Sequence, residues 1–509
     1  MIDNRTSPYT SKLLTMSWLL VLAVAGCSSS SGQASASSSD SSVNGGASSG
    51  NAGNTSVSSS ATGATRSTGG STASATTGPA ITSNCPVTLG SATGISSGMG
   101  TVGIVEWSTT QSGVTGAQIV YTLNNPGSGI LNKGGTAPVD LNASNYHTLL
   151  LGLKPSSTYT YHIEMTSSSG TCKSADYTMT TTTLSGAPTV TRTVANASSL
   201  AGGFIVTCSG QGGGGGWGGG GGSSSAYILD ADGTVVWAAA GPNSCSRARM
   251  DYEGANMWML NLNVNNGGGE MRYLSMDGKT GQNNLTGLSS AHHDFTVLPG
   301  GTIAAMVWSV TGTQDPDSNL IERSSSGTLK TAFKIGANLY SSSTFHCNSI
   351  LYHLSEDSYT IGDRNPNLYV KVTRAGSPVW QIGGSCTGAL AAKCAAGSWK
   401  VNHGHSFTDA GNMLIFNNGQ SGSSHVLEYS ISDSSSFSIT SVKDFTSSYS
   451  SGTLGYVQRL PNGNTLITYS NSGAIIEVDP SWSSTPVQTL KGSFGYADWR
   501  ETLYGPPPR

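Results

Sequence analysis

Charge is what this sequence has least of. Only 10% of its residues are Asp, Glu, Lys or Arg, and the formal net charge is −3. Nothing in that balance offers the basic surface that nucleic acid requires, so a small molecule is the expected partner. Lys and Glu are also too sparse for a helical protein, whereas 68 glycines among abundant Ser and Thr suit short strands joined by tight turns. Long apolar runs are missing as well. The run at residues 13–25 is too short to span a bilayer, but with Arg5 and Lys12 ahead of it, it has the form of an export-signal core.

That run ends in Val24-Ala25-Gly26-Cys27, which resembles the bacterial lipobox, where small residues let a peptidase reach the bond before a cysteine that becomes lipidated. Residues 1–27 are therefore expected to be a lipoprotein signal peptide, with Cys27 as the anchor to the membrane. Ser28, in place of Asp, points to the outer membrane. Residues 28–84 are almost wholly Ser, Gly, Ala, Thr and Asn, lack the apolar residues that offset the entropy of ordering, and read as a flexible tether.

Seven cysteines remain beyond Cys27, and export predicts disulfides with one thiol left over. Sequence order suggests Cys85 with Cys172, Cys208 with Cys245, and Cys386 with Cys394. Cys347, beside His346, is then the odd one, and an inert buried thiol is expected there in preference to a Cys/His nucleophile.

Residues 85–185 alternate apolar and polar positions at strand length, as in GIVEWSTT and GAQIVYTL, and predict an all-β sandwich. Trp107 and LKPSSTYTYHI, with Tyr159 placed as in a tyrosine corner, resemble a fibronectin type III or immunoglobulin-like module. Its histidines, His147 and His162, are expected at the surface or in packing.

From residue 186 to the end the pattern changes and repeats. His293, His403 and Gly455 each stand eight residues before a turn glycine, Gly301, Gly411 and Gly463, with His346 at the corresponding place of a unit with a longer turn. The steps between these positions are 53, 57 and 52 residues. Four short strands per unit near that period predict a β-propeller. Five units are visible, and a sixth is expected to combine FGYADWRETLY near the C-terminus with GGFIVTCSG. The glycine run at residues 211–225 reads as an insertion between strands. Matching positions of successive blades converge on the central channel, so the histidines that head three units are expected to meet, with His292, His405 and Arg364 near them.

These segments carry a family resemblance. HHDFTVLPGG, HCNSI with Arg364 eighteen residues after His346, and HGHSFTDAGNMLIFNNG resemble the corresponding motifs of bacterial arylsulfate sulfotransferases. The resemblance implies a six-bladed propeller that moves a sulfuryl group from a phenolic sulfate ester to a phenolic acceptor through a sulfohistidine, without a nucleotide sulfate donor, cofactor or metal. It implies His403 as nucleophile. His346, Arg364 and one of His292 and His293 would hold the sulfuryl oxygens, with Asn348 as a polar neighbour.

The residue types suit that chemistry. A neutral imidazole can attack near pH 7, and guanidinium and imidazole groups can hold an anionic leaving centre. Asn402-His403-Gly404-His405 departs from the family's glutamine-led motif, and because positions 403 and 405 of a regular strand share a face, either histidine could attack. Other readings stay open: a tethered propeller that binds a sulfated or anionic ligand without turnover, and a quinoprotein-like dehydrogenase suggested by DADGTVVW. Asp315 and Asp317 in TQDPDSN read as a solvated turn before a calcium site.

Overall fold

The computed structural model describes residues 84–209, 224–242, 245–261, 270–308, 319–335, 346–419, 422–434 and 436–507. Cys27, the signal segment, the tether, most of the glycine run and the pair Asp315 and Asp317 lie outside the described residues. Among those described, the regular structure is strand interrupted by four short 3₁₀ turns. The fold is all-β.

Residues 84–181 form three small antiparallel sheets around one apolar cluster that includes Trp107, Ile119, Tyr159, Tyr161 and Ile163. Strict alternation puts these side chains inward, as in Thr158–Ser167, where every second residue from Tyr159 to Met165 is buried. Tyr159 Oη accepts the Lys154 backbone N–H at 2.8 Å. His147 and His162 reach Glu106 and Glu164, at 3.0 and 3.3 Å. A disulfide joins Cys85 to Cys172.

Downstream, six sheets of four or five strands follow one another, antiparallel except where Cys394–Ala395 pairs parallel with Pro378–Gly383. One edge strand of each bears on the site: β1 (Cys245–Met250), β2 (Ala291–Leu298), β3 (Cys347–His353), β4 (Asn402–Phe407), β5 (Tyr456–Arg459) and β6 (Asp498–Arg500). Strands β1 to β5 touch in succession. Gln458 of β5 exchanges hydrogen bonds with the Trp499 backbone of β6, and Asp498 of β6 pairs with Arg247 and Arg249 of β1. Strand β6 is added to the sheet of Phe204–Cys208, so the end of the chain completes a sheet begun near residue 204.

Each sheet is apolar on both faces and is covered by its neighbours. Trp258, Leu288 and Phe295 fill one such space, and Tyr369, Trp399 and Ile415 another. Each large side chain buried this way contributes roughly 1.5–3 kcal/mol, which a lone sheet could not gain. The two regions meet through polar groups: Lys154 pairs with Asp230 and Asp232, and Tyr504 Oη accepts the Leu151 N–H at 2.8 Å.

A second disulfide closes the short loop from Cys386 to Cys394. The expected Cys208–Cys245 bridge is not formed. Both are free and buried, and their thiols meet as a hydrogen-bonded pair, with the Cys245 thiol also turned to the Arg247 carbonyl at 3.5 Å. Closeness in sequence order brought them together across adjacent sheets, but as two thiols.

Candidate active site

Three strands build the site, and each carries a slip in its ladder where the functional residue sits. The register shifts between Ala291 and Phe295 in β2, between Cys347 and Ser349 in β3, and between Asn402 and His405 in β4. Such bulges re-aim side chains that a regular strand would send elsewhere. In β2 the irregularity places His293 at φ +58°, a left-handed conformation that costs a non-glycine residue about 1–3 kcal/mol and is commonest at functional positions.

The result is a cluster of imidazoles. His293 Nε2 lies 3.0 Å from His346 Nε2, and its Nδ1 lies 2.9 Å from His292 Nδ1. His292 stacks on Trp308 with ring centroids 3.8 Å apart. His293 is thus the member of that pair that faces residues of the other sheets, and His292 backs it. The His346 carbonyl accepts the Arg364 backbone N–H at 3.1 Å, the Arg364 charge lies near enough to depress His293, His346 and His403, and the His346 backbone N–H donates to Asp363 at 2.9 Å. His403 stands close enough to depress the protonation of both His293 and His346.

His405 does not join them. The slip after Asn402 breaks the rule that residues two apart share a face, and His405 Nδ1 pairs with Ser349 Oγ at 2.9 Å beside the Tyr369 ring. Burial pushes its pKa down to about 3, with His353 and Arg247 adding to the shift. The expectation that 403 and 405 are interchangeable is therefore corrected. Gly404 between them needs its missing side chain: a Cβ there would meet Gly455 O at 2.6 Å and Tyr456 Cδ2 at 2.4 Å, where β4 hydrogen-bonds to the Gly455 carbonyl.

Asn348 ties β3 to β4 by donating from Nδ2 to the Asn402 carbonyl at 2.7 Å. Its Oδ1 is buried without a protein partner. Cys347 is buried, its thiol 3.5 Å from Asp363 Oδ2, and burial next to that carboxylate pushes its pKa well up, as for an inert thiol.

Residues 307–484 match the family model of the arylsulfotransferases (ASST). Over this segment the chain is similar to the arylsulfotransferases. The arylsulfotransferase match takes in His346, Arg364 and His403 and begins after His292 and His293. No curated protein matches the chain. Likeness to solved structures is distant. A nidogen/laminin complex is 10% identical at TM-score 0.37, over 57% of this chain and 92% of that one. TolB from Acinetobacter baumannii is 10% identical at TM-score 0.35, over 69% and 79%. An auxiliary nutrient binding protein from Bacteroides thetaiotaomicron VPI-5482 is 10% identical at TM-score 0.34, over 80% and 86%. At these scores none bears on function.

Electrostatically, the site is a set of neutral imidazoles around Arg364. Burial, with Arg364 adding to it, pushes His346 down to about 3. Burial pushes His403 down to about 4, against the raising effect of Asn418. His292 and His293 are driven well below their usual range by burial and by one another's neighbours. Arg364 is half-buried and forms no ion pair with a carboxylate among the described residues, so its charge is available to an anion.

Beneath the cluster lies a second charged layer that sequence reasoning missed. Arg247, wholly buried, reaches Asp294 at 3.1 Å and Asp498 at 2.9 Å, between the rings of Tyr456 and Tyr496. Asp294 Oδ2 accepts the Ile350 N–H at 3.1 Å, so the residue after His293 pins β2 to β3. Tyr369 Oη donates to the His403 carbonyl at 2.9 Å. Asp294 could have been found from its place in HHDF. Arg247, 251 positions from Asp498, left no local signal.

Proposed function

We propose that this protein is an aryl sulfotransferase that moves a sulfuryl group from a phenolic sulfate ester to a phenolic acceptor by way of a sulfohistidine on His403. One observation carries this reading: Arg364, without a carboxylate partner among the described residues, converges with three neutral histidines from separate sheets, and Arg364, His346 and His403 lie within the arylsulfotransferase-like region. Such a set binds a compact anion and offers it a nucleophile.

In the first half-reaction His403 gives a nitrogen lone pair to sulfur, the N–S bond forms, and the S–O bond to the aryl group breaks with its electrons going to the phenolic oxygen. The phenoxide takes the proton that the His346–His293 pair gains when the anionic ester binds. In the second half-reaction an acceptor phenol returns that proton, its oxygen attacks sulfur, and the N–S bond breaks. Arg364 and the imidazole N–H groups hold the sulfuryl oxygens in both.

The same reading takes the six sheets as the blades of a six-bladed β-propeller over residues 186–509, and residues 85–185 as a fibronectin type III or immunoglobulin-like module. It takes Cys27 as a lipid anchor that tethers both to the bacterial outer membrane through residues 28–84.

The test is release of 4-nitrophenol from its sulfate ester with and without a phenol acceptor. Sustained release only with acceptor, and a modified His403 when the donor alone is quenched, are expected. Tight binding of the ester with no release under either condition would leave a non-catalytic anion-binding protein instead.

A further inference from the structure

The proposed nucleophile has two ring nitrogens, and which one carries the proton is decided by Asn418, which follows the strand Met413–Asn417 paired with β4. His403 Nδ1 lies 2.6 Å from Asn418 Oδ1. Either an imidazole nitrogen or an amide end can donate, so this contact alone leaves the proton's place open. The other end of Asn418 closes the question. Its Nδ2 stands 2.6 Å from the Ser451 carbonyl and 2.8 Å from the Leu454 carbonyl. Carbonyls only accept, so the NH₂ group faces them and the amide oxygen faces the ring. An oxygen acceptor demands an N–H at His403 Nδ1, which leaves the lone pair on Nε2.

The arrangement is rigid. Asn418 is 3% exposed, the Ser451 N–H is itself held by Ser424 Oγ at 2.8 Å, and the Ser424 hydroxyl donates back to the Ser451 carbonyl at 3.0 Å.

We propose that Asn418 is a positioning residue that holds His403 as the Nδ1–H tautomer, so that Nε2 attacks sulfur and the ring stays cationic once the N–S bond has formed. This rests on the reading of His403 as nucleophile. When Nε2 gives its lone pair to sulfur and the aryl S–O bond breaks, the ring gains a positive charge. A neutral amide oxygen binds the Nδ1 proton without removing it. The intermediate is then an N-sulfo-imidazolium, which departs as neutral imidazole when the acceptor oxygen attacks. A carboxylate at position 418 would draw that proton away and leave a neutral N-sulfo-imidazole, a poorer leaving group.

The first measurement uses the free protein labelled with ¹⁵N-histidine at pH 7, with His403→Gln to assign the resonances. A protonated Nδ1 and bare Nε2 on His403 are expected; the opposite tautomer overturns the proposal. The second compares Asn418→Leu with the natural protein in single turnover of 4-nitrophenyl sulfate. Loss of an enforced tautomer should slow phenol release by about 100-fold or more, with KM changed by less than about threefold because Asn418 does not reach the sulfuryl group. A kcat within about threefold of the natural protein would count against it. Should the leucine variant not fold, the free-protein spectrum decides alone. The third locates the trapped adduct: Nε2 of His403 supports the proposal and Nδ1 of His403 defeats it. A phenol-releasing protein with no adduct on any histidine would sink the sulfohistidine reading, while the tautomer is still judged from the spectrum.

Discussion

His293 and His346 face each other nitrogen to nitrogen, Nε2 to Nε2 at 3.0 Å, although they lie 53 residues apart on different sheets. With His292 behind them, three rings form a chain in which each contact needs one proton and none needs a charge. Burial holds all three below their usual range, His346 at about 3.

An anion placed among these rings and Arg364 reverses that balance, since a nearby negative charge favours the protonated form. Binding of an aryl sulfate should therefore take up protons, and affinity should rise as pH falls from about 7 toward 4. Titration calorimetry in buffers of different ionisation enthalpy checks this: the apparent binding enthalpy should vary with the buffer. A buffer-independent enthalpy would show that the cluster stays neutral with the anion bound.

Attack requires His403 neutral, and its pKa in the free protein is depressed to about 4. The sign follows directly: the active form is lost as pH falls through that value, not through 6.5. On this account kcat/KM should not fall between pH 8 and about 5, and should fall about tenfold per unit only below 4, with circular dichroism confirming that the fold persists. A limb centred near 6.5 would mean that the attacking group is exposed.

Among the described residues Arg364 is the one cation facing the cluster, and its planar fork can meet two sulfuryl oxygens at once. Arg364→Lys keeps charge without the fork and should lower kcat/KM by about 10²–10³, with little change in thermal stability because the guanidinium forms no ion pair among the described residues. A lysine variant of near-normal activity would reduce the arginine to general attraction.

How much of this could be read from the chain divides along a physical line. The strands and turns were legible because apolar alternation and turn glycines are local signals. The convergence of His293, His346 and His403 was legible because a repeat returns equivalent positions to one place. The bulges were not. A one-residue slip inverts every face assignment beyond it, which is why His405 looked equivalent to His403 yet pairs with Ser349. The Arg247–Asp294–Asp498 layer was equally hidden, since it joins residues whose pairing depends on how neighbouring sheets are set, and so was the orientation of Asn418, which the carbonyls of Ser451 and Leu454 fix from outside its own sheet.

The slip in β4 makes a sharp prediction. His403→Gln should abolish phenol release and leave no adduct, a loss of about 10⁴ or more. His405→Gln, which can still meet Ser349, should cost less than about tenfold in kcat/KM and act mainly on stability, because a buried polar contact is disturbed. Trapped sulfate on His405 in the natural protein would reverse the two roles.

The paired thiols of Cys208 and Cys245 give the last prediction. Both are buried and free, as is Cys347, and burial together with the neighbouring thiol drives the Cys208 pKa well above its usual range. Thiolate is the reactive form, so none of the three should react with a thiol reagent in the folded protein. In guanidinium, a Cys27→Ser chain should titrate three thiols, one for each free cysteine. Because the thiols already touch across adjacent sheets, a Cys208→Ser, Cys245→Ser double variant should fold and release phenol at the natural rate. A count of one thiol in guanidinium would show instead that export joins the pair, and would restore the disulfide that sequence order suggested.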